Sequence, residues 1–172
     1  MQGGFINKKG FTLIEIIIFI VVFSLGVMGI MVLFYNTLGK TSDPLLRVQA
    51  VQTAQAVMEI VAAKKFDENT PNGGGSIGLN QITIGPDEAQ LKKYDDIDDY
   101  VDSCGVGKSY SSTDLDLKGD YNITITVSYA HIVGNSVTED CNNKDNYKMI
   151  IVTVGKDSLN ENYTLKRLKG NF

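Results

Sequence analysis

Apolar residues are spread unevenly along this chain, and the densest run lies close to the N-terminus. Residues 11–34 are almost entirely apolar, and Glu15 is the one formal charge among them. A helix needs about 20 apolar residues to cross a bilayer, so this run predicts a transmembrane helix. Lys8 and Lys9 precede the run. The positive-inside rule therefore puts the N-terminus in the cytoplasm and the rest of the chain across the membrane.

A second helical pattern covers residues 43–66. Asp43 is a residue type favoured at a helix N-cap, and Pro44 suits the first helical position. Apolar residues then recur at three- and four-residue spacing and predict a stripe that packs under a sheet. The stripe consists of Val51, Ala54, Val57, Met58 and Val61. Because proline cannot donate to the preceding turn, we expect the long helix to break or kink near Pro44.

The C-terminal part of the chain predicts strands. Residues 121–130 alternate apolar and polar side chains, residues 147–154 form a more apolar run, and residues 162–168 alternate more weakly. We therefore expect an α+β fold in which a long N-terminal helix, half membrane-spanning and half amphipathic, packs on an antiparallel sheet. The expected domains are a transmembrane helix at 11–42 and a head at 43–172.

The composition and the motif content argue against two classes of function. The chain has 172 residues and a formal net charge of −4 at pH 7, whereas nucleic-acid-binding domains are usually basic. The sequence contains neither G-x-S-x-G nor H-E-x-x-H. Its one histidine, His131, has no cysteine or glutamate at a metal-binding spacing. We therefore expect no nucleic-acid partner and no enzymatic activity.

The chain has two cysteines, Cys104 and Cys141, and both lie in the predicted head. An even pair of cysteines outside the cytoplasm suggests a disulfide, because exported proteins fold in an oxidising compartment. Two buried free thiols are the alternative. A bridge would stabilise the head by roughly 3–4 kcal/mol through loop closure.

An acidic stretch, "YDDIDDYVDSC", occupies residues 94–104. Its first four carboxylates belong to Asp95, Asp96, Asp98 and Asp99. Carboxylates this dense repel one another unless water solvates them or a cation binds, and Ca²⁺ takes six to eight oxygen ligands. The stretch lacks the central glycine and terminal glutamate of an EF-hand loop. We favour a solvated acidic turn and keep a calcium site as the alternative; no other cofactor is expected.

The stretch "KKGFTLIEIIIFIVV", residues 8–22, resembles the prepilin signature of type IV pilins and type II secretion pseudopilins. In that family a membrane-embedded peptidase cuts after the glycine, and the new N-terminal residue is N-methylated. The resemblance therefore implies cleavage between Gly10 and Phe11, removal of a leader at 1–10, and methylation of Phe11. It also implies the pilin fold and a prepilin peptidase/methyltransferase as a partner.

The same resemblance gives the charge of Glu15 a purpose. A lone carboxylate in a membrane helix costs roughly 2.5–3.5 kcal/mol on insertion scales. Cleavage would create a positive amine at Phe11, and Glu15 would pair with the Phe11 amine of a neighbouring pilin when N-terminal helices stack in a filament. The ion pair would then favour the assembled state over the free subunit in the membrane. The alternative is a carboxylate that is protonated or reaches the membrane surface.

Shorter stretches resemble minor pilins of the mannose-sensitive haemagglutinin (MSHA) type: "AKKFDENTPNGGG", "YDDIDDY" and the terminal "LKGNF". We expect a minor pilin of a type IV pilus, possessing no enzymatic role and contributing to adhesion. Its precursor would sit in the bacterial inner membrane with the head in the periplasm, and the mature chain would reach the pilus or cell surface. The alternatives are a type II secretion pseudopilin and a membrane-tethered calcium- or glycan-binding module.

Overall fold

The structure is a computed structural model that describes residues 10–38, 42–157 and 159–172. Most of the expected leader, residues 1–9, therefore lies outside the described residues. The chain divides into two compact units, and the boundary falls after Pro44. The first unit contains one helix, whereas the second contains the sheet and nearly all of a further helix.

The first helix, α1, spans Leu13–Leu38 and has 26 residues. At 1.5 Å per residue it is about 39 Å long, which exceeds the roughly 30 Å of a bilayer's hydrocarbon core. Its mean hydropathy is 3.0 over the most apolar window, and none of its residues is buried. By length and composition, α1 can therefore cross a membrane.

The second helix, α2, spans Ser42–Ala62. Pro44 lies in its first turn, where a missing N–H costs no intrahelical hydrogen bond. The helix α1 ends at Leu38 and α2 begins at Ser42, and residues 39–41 between them lie outside the described residues, so the break expected near Pro44 stays a prediction. The buried face of α2 consists of Ala50, Ala54, Val57, Met58 and Val61. The predicted stripe is thus present, except that Ala50 is buried where Val51 was expected.

The end of α2 differs from the prediction, because the helix stops at Ala62 and does not reach residue 66. The Lys169 ammonium donates to the carbonyl oxygens of Ala62, at 2.8 Å, and of Lys64. Lys65 then pairs in a parallel bridge with Asp96. The chain leaves the helix here because a lysine binds the last carbonyl oxygens and the backbone finds partners in the acidic stretch.

The head contains one antiparallel sheet, whose order is β1-β2-β4-β5 with β3 also paired to β2. Within the described residues the strands are β1 Lys108–Ser111, β2 Asn122–Val133, β3 Ser136–Asp140, β4 Tyr147–Lys156 and β5 Leu159–Gly170. The three predicted strands are confirmed as β2, β4 and β5, each longer than predicted. The short strands β1 and β3 were not predicted.

The core of the head lies between α2 and the sheet. In the register of β2 and β4, Ile123 faces Val154 and Ile125 faces Val152. These side chains are completely buried, and they belong to one cluster with the buried face of α2. A second, smaller cluster consists of Phe66, Ile77, Ile82 and Tyr129. The fold is therefore α+β and pilin-like, as the sequence predicted.

Candidate functional site

The bond expected to be cut joins Gly10 to Phe11, and both residues precede α1 in non-helical backbone. Phe11 is 79 % exposed. A side chain built on Gly10 would meet nothing within 4 Å. The geometry thus presents an accessible, non-helical peptide bond shortly before an apolar helix, which suits the cleavage that we expect there.

Glu15 lies in the first turn of α1, one turn beyond Phe11. Its N–H donates to the carbonyl oxygen of Thr12 at 3.1 Å and to the Thr12 hydroxyl at 3.4 Å. Thr12 therefore caps the helix. The sequence reasoning missed this cap, although Thr-x-x-Glu is a capping-box pattern. Within the described residues, the Glu15 carboxylate has no hydrogen bond or ion pair, so it is available to a group from another molecule.

A disulfide joins Cys104 to Cys141, as the sequence predicted. Cys141 directly follows β3, and Cys104 is the last residue of the acidic stretch, shortly before β1. The bridge spans a sequence separation of 37 residues. It therefore fastens the end of the acidic stretch to the C-terminal end of β3, away from the β2–β3 turn.

The acidic stretch is not the solvated turn that we favoured. Asp96, Asp98 and Asp99 are 1 %, 1 % and 0 % exposed, respectively, and Asp95 is half-buried. Backbone amides of the same turn compensate for the lost water. The Asp96 carboxylate accepts from the N–H groups of Asp98 at 2.8 Å and Asp99 at 3.1 Å, and Asp99 accepts from the N–H of Asp95 at 3.0 Å.

A carboxylate cluster forms around Asp99. Oxygens of Glu88, Asp95 and Asp99 lie within 4.8 Å of one another, and so do oxygens of Asp87, Asp96 and Asp99. Two buried oxygens of this cluster, Oε2 of Glu88 and Oδ1 of Asp95, have no hydrogen-bond partner in the described part of the chain. Such a site can hold a shared proton or a cation.

The electrostatics of the cluster indicate proton sharing. Hydrogen bonds with Asp87 and with Asp99 raise the pKa of Glu88 to about 8. Burial acts to raise the pKa of Asp99, but hydrogen bonds with Glu88, Asp87 and backbone amides lower it below its ordinary value. At neutral pH, Glu88 is therefore the protonated member and Asp99 the ionised one.

Asp98 does not join this cluster, although the sequence grouped it with Asp95, Asp96 and Asp99. Its Oδ1 lies 2.5 Å from the Lys148 ammonium, which also lies 3.2 Å from Oδ2 of Asp67. All three side chains are buried. The sequence reasoning missed this triad. The available signal was a lysine at an inward-facing position of β4, two residues before buried Ile150.

Residues 6–31 match the family model described as the prokaryotic N-terminal methylation motif. The matched segment begins before Lys8 and Lys9, includes the Gly10–Phe11 bond and Glu15, and ends within α1. No curated protein and no solved structure matches the chain. The similarity therefore lies in the segment whose geometry leaves Phe11, after the bond that we expect to be cut, exposed.

Proposed function

We propose that this type IV pilin-like protein is a minor subunit of a type IV pilus. The observation that carries the proposal is the methylation motif at residues 6–31 leading directly into an apolar helix of 26 residues. Pilins and pseudopilins share this design, in which a basic leader is removed and the apolar helix is retained for assembly. The chain is therefore a structural subunit.

Before assembly, α1 anchors the precursor in the inner membrane and the head lies in the periplasm. Two observations support this orientation. Lys8 and Lys9 precede α1, and basic residues favour the cytoplasmic side. The head contains the Cys104–Cys141 disulfide, which forms and persists in an oxidising compartment such as the periplasm.

During assembly, the prepilin peptidase cuts between Gly10 and Phe11 and the new amine is methylated. The Glu15 carboxylate of one subunit then pairs with the Phe11 amine of its neighbour. The carboxylate has no partner among the described residues of its own chain, which supports an intermolecular role. Removing one member of a buried ion pair destabilises an interface by roughly 3–5 kcal/mol, because the other charge stays buried without a partner. The pair therefore fixes the register of neighbouring subunits. It also requires processing, because leader cleavage creates the amine.

A pilus is favoured over a secretion pseudopilus by the loops that resemble MSHA-type minor pilins and by the disulfide-linked head. The test is to express the full chain with a C-terminal epitope in its native host, shear the cells, and measure the epitope in purified surface filaments. We expect the chain in sheared filaments. Retention of all processed chain in the cell envelope would instead indicate a pseudopilin, and an uncleaved chain would indicate a tethered binding module.

Calcium binding by the head is a second candidate function. It is favoured by the two buried oxygens without partners, on Glu88 and Asp95, next to the ionised Asp99. Oxygen donors of this type suit Ca²⁺. The ligand set thus differs from the one predicted from sequence: Asp95, Asp96 and Asp99 remain, whereas Asp98 is paired to Lys148.

Calcium binding is tested by thermal melting of the purified full chain with millimolar Ca²⁺ or with EDTA. A ligand that binds only the folded state raises the melting temperature by mass action. We expect the rise for the wild type and its loss in Asp99→Asn. Asp114→Asn is the matched control, because Asp114 is exposed and lies outside the cluster. An unchanged wild-type melting temperature would leave the cluster as a proton-sharing site.

A further inference from the structure

Lys148 is the largest completely buried side chain among the residues that the structure describes. It faces inward from β4, and its ammonium lies over the Phe66 ring at 4.7 Å from the centroid. Its Nζ donates to the Phe66 carbonyl oxygen at 2.9 Å, to Oδ2 of Asp67 at 3.2 Å and to Oδ1 of Asp98 at 2.5 Å. An amine and two carboxyl groups are thus held in contact in a site without access to water.

Asp67 is the second carboxyl group in contact with the amine. Burial acts to raise its pKa, but hydrogen bonds from Thr83 and Asn69 and the positive charge of Lys148 lower it below its ordinary value, so Asp67 is a carboxylate. The amine of Lys148 therefore lies between Asp98 and a carboxylate that can accept and pass on its proton.

We propose that Lys148 and Asp98 become joined by an isopeptide bond between the lysine Nζ and the aspartate Cγ. Asp67 accepts a proton from the ammonium and passes it to the carboxyl group of Asp98, and the neutral amine attacks Cγ of the resulting carboxylic acid. The bond from Cγ to the acid's hydroxyl oxygen then breaks, and that hydroxyl leaves as water with a second proton from nitrogen. An ammonium and a carboxylate thus give an amide and one water molecule, and Asp67 ends as the carboxylate it was, so atoms and charge balance without another reactant.

Geometry favours this reaction. The attacking Nζ is 2.5 Å from Oδ1, which is bonded directly to the target carbon. Holding two reacting groups in contact removes the entropy cost of bringing them together. The site is rigid, because Asp67 is fixed by the N–H of Thr83 at 2.8 Å and by the side chain of Asn69 at 3.1 Å, whereas Lys148 is fixed within a central strand.

Electrostatics favour the product as well. Each ion buried away from water costs several kcal/mol even when it is paired. Bond formation replaces the ammonium of Lys148 and the carboxyl group of Asp98 by a neutral amide. It therefore removes charge from a site in which all three side chains are almost fully buried, with exposures of 0 %, 0 % and 2 %.

The bond would add a second cross-link around the first. Asp98 and Lys148 are 50 residues apart, and the disulfide between Cys104 and Cys141 lies within that interval. The isopeptide bond would tie β4 to the acidic stretch even when the disulfide is reduced. This inference concerns the head alone and does not depend on which filament the subunit enters.

The test is mass spectrometry of the full chain, purified in detergent, reduced and alkylated. We expect an intact mass lower than the sequence mass by one water molecule. A tryptic digest should lack cleavage after Lys148 and contain a branched peptide that joins Lys148 to Asp98. Lys148→Arg keeps the positive charge but removes the amine, so it should restore the missing water.

Asp67→Asn tests proton transfer separately from proximity, because it removes the proton acceptor but leaves Asp98 and Lys148 in place. It should slow bond formation after refolding by about a hundredfold or more, the usual effect of a general base. A wild-type chain of full mass, with cleavage after Lys148, would overturn the proposal. So would a water loss that persists in Lys148→Arg. The wild-type branched peptide decides the matter even if a variant fails to fold.

Discussion

Glu15 supports α1 through its backbone N–H, and its carboxylate has no partner among the described residues. The Glu15 N–H is satisfied by Thr12, which caps the helix, and this contact does not involve the carboxylate. Replacing the side chain should therefore leave the helix start intact. Removing a charge from a membrane helix also lowers the cost of insertion. Any defect of such a variant must then arise after insertion.

Glu15→Ala should prevent incorporation into filaments while leaving leader cleavage and membrane insertion unchanged. The Phe11 amine of the neighbour would lose its partner in an apolar interface, so the ratio of filament to membrane chain should fall by about tenfold or more. Immunoblots of sheared filaments and inner membranes measure this ratio. Ser24→Ala, also exposed on α1, is the control. Normal incorporation of Glu15→Ala would show that the head carries recruitment.

Glu88 should make the head less stable as the pH rises. Its pKa is raised from 4.5 to about 8 by hydrogen bonds with Asp87 and Asp99, so the folded chain holds this proton more tightly than the unfolded chain. The contribution of Glu88 to the free energy of unfolding is therefore complete below pH 4.5, and it is lost as the pH rises toward 8. Thermal melting in calcium-free buffer should show this decline.

Glu88→Gln should flatten that decline, because an amide does not titrate. The comparison is the difference in melting temperature between the two ends of this pH range, for variant and wild type. Glu161→Gln is the control, since Glu161 lies outside the cluster and is exposed. An unchanged slope in Glu88→Gln would assign the pH dependence to Asp96 and Asp98, whose pKa values burial raises as well, to about 6 and about 8.

At the scale of elements, the sequence predicted the helices and strands whose hydrophobic periodicity extends over many residues. The α2 stripe and the alternation in β2, β4 and β5 each extend over enough residues to indicate their partners. Strands β1 and β3 have 4 and 5 residues. Most of β3 is exposed, so its sequence has no apolar alternation. Both strands exist because β2 extends far enough to pair with them on one edge.

The burial of the acidic stretch could not be predicted from local sequence. Neighbouring aspartates favour solvent unless hydrogen-bond donors or cations compensate for the loss of water. The decisive partner of Asp98 is Lys148, which is 50 residues away. The contact arises only when β4 pairs in the middle of the sheet and turns the lysine inward. The local sequence shows that the carboxylates are crowded, but it gives no information about a cation that is distant in sequence.

The disulfide should stabilise the head measurably. The double variant Cys104→Ser/Cys141→Ser avoids a lone reactive thiol, and it should lower the free energy of unfolding by roughly 3–4 kcal/mol. Denaturant unfolding of oxidised wild type, reduced wild type and the double variant measures the difference. Reduced wild type should match the double variant. If both thiols react with an alkylating agent without prior reduction, the exported chain does not contain the bridge.

At the scale of the whole molecule, the proposed roles divide between the two compact units. The first unit carries the methylation motif, the Gly10–Phe11 bond and the apolar helix. The second carries the disulfide, the carboxylate cluster and the buried lysine. Membrane anchoring and assembly are thus assigned to the first unit, whose helix α1 has no buried residue. Stability against unfolding is assigned to the head.

Processing is the event on which the assembly role depends. The mature chain should begin at Phe11 and carry a methyl group on its amine, because the methylation motif includes this residue and the bond before it is exposed. Intact-mass analysis of the membrane fraction should show the loss of residues 1–10 and the added methyl group. The same measurement on filaments should show no precursor.

Gly10→Val should block that processing, because a branched side chain at the scissile bond would keep the peptidase from the backbone. The precursor should then accumulate in the membrane with its head folded, as judged by the Cys104–Cys141 bridge. Ser24→Ala again serves as the control, since Ser24 lies within α1, away from the bond. Wild-type chain that still begins at Met1 in a host with active prepilin peptidase would contradict the pilin assignment. Processed Gly10→Val would contradict only the need for glycine before the cut.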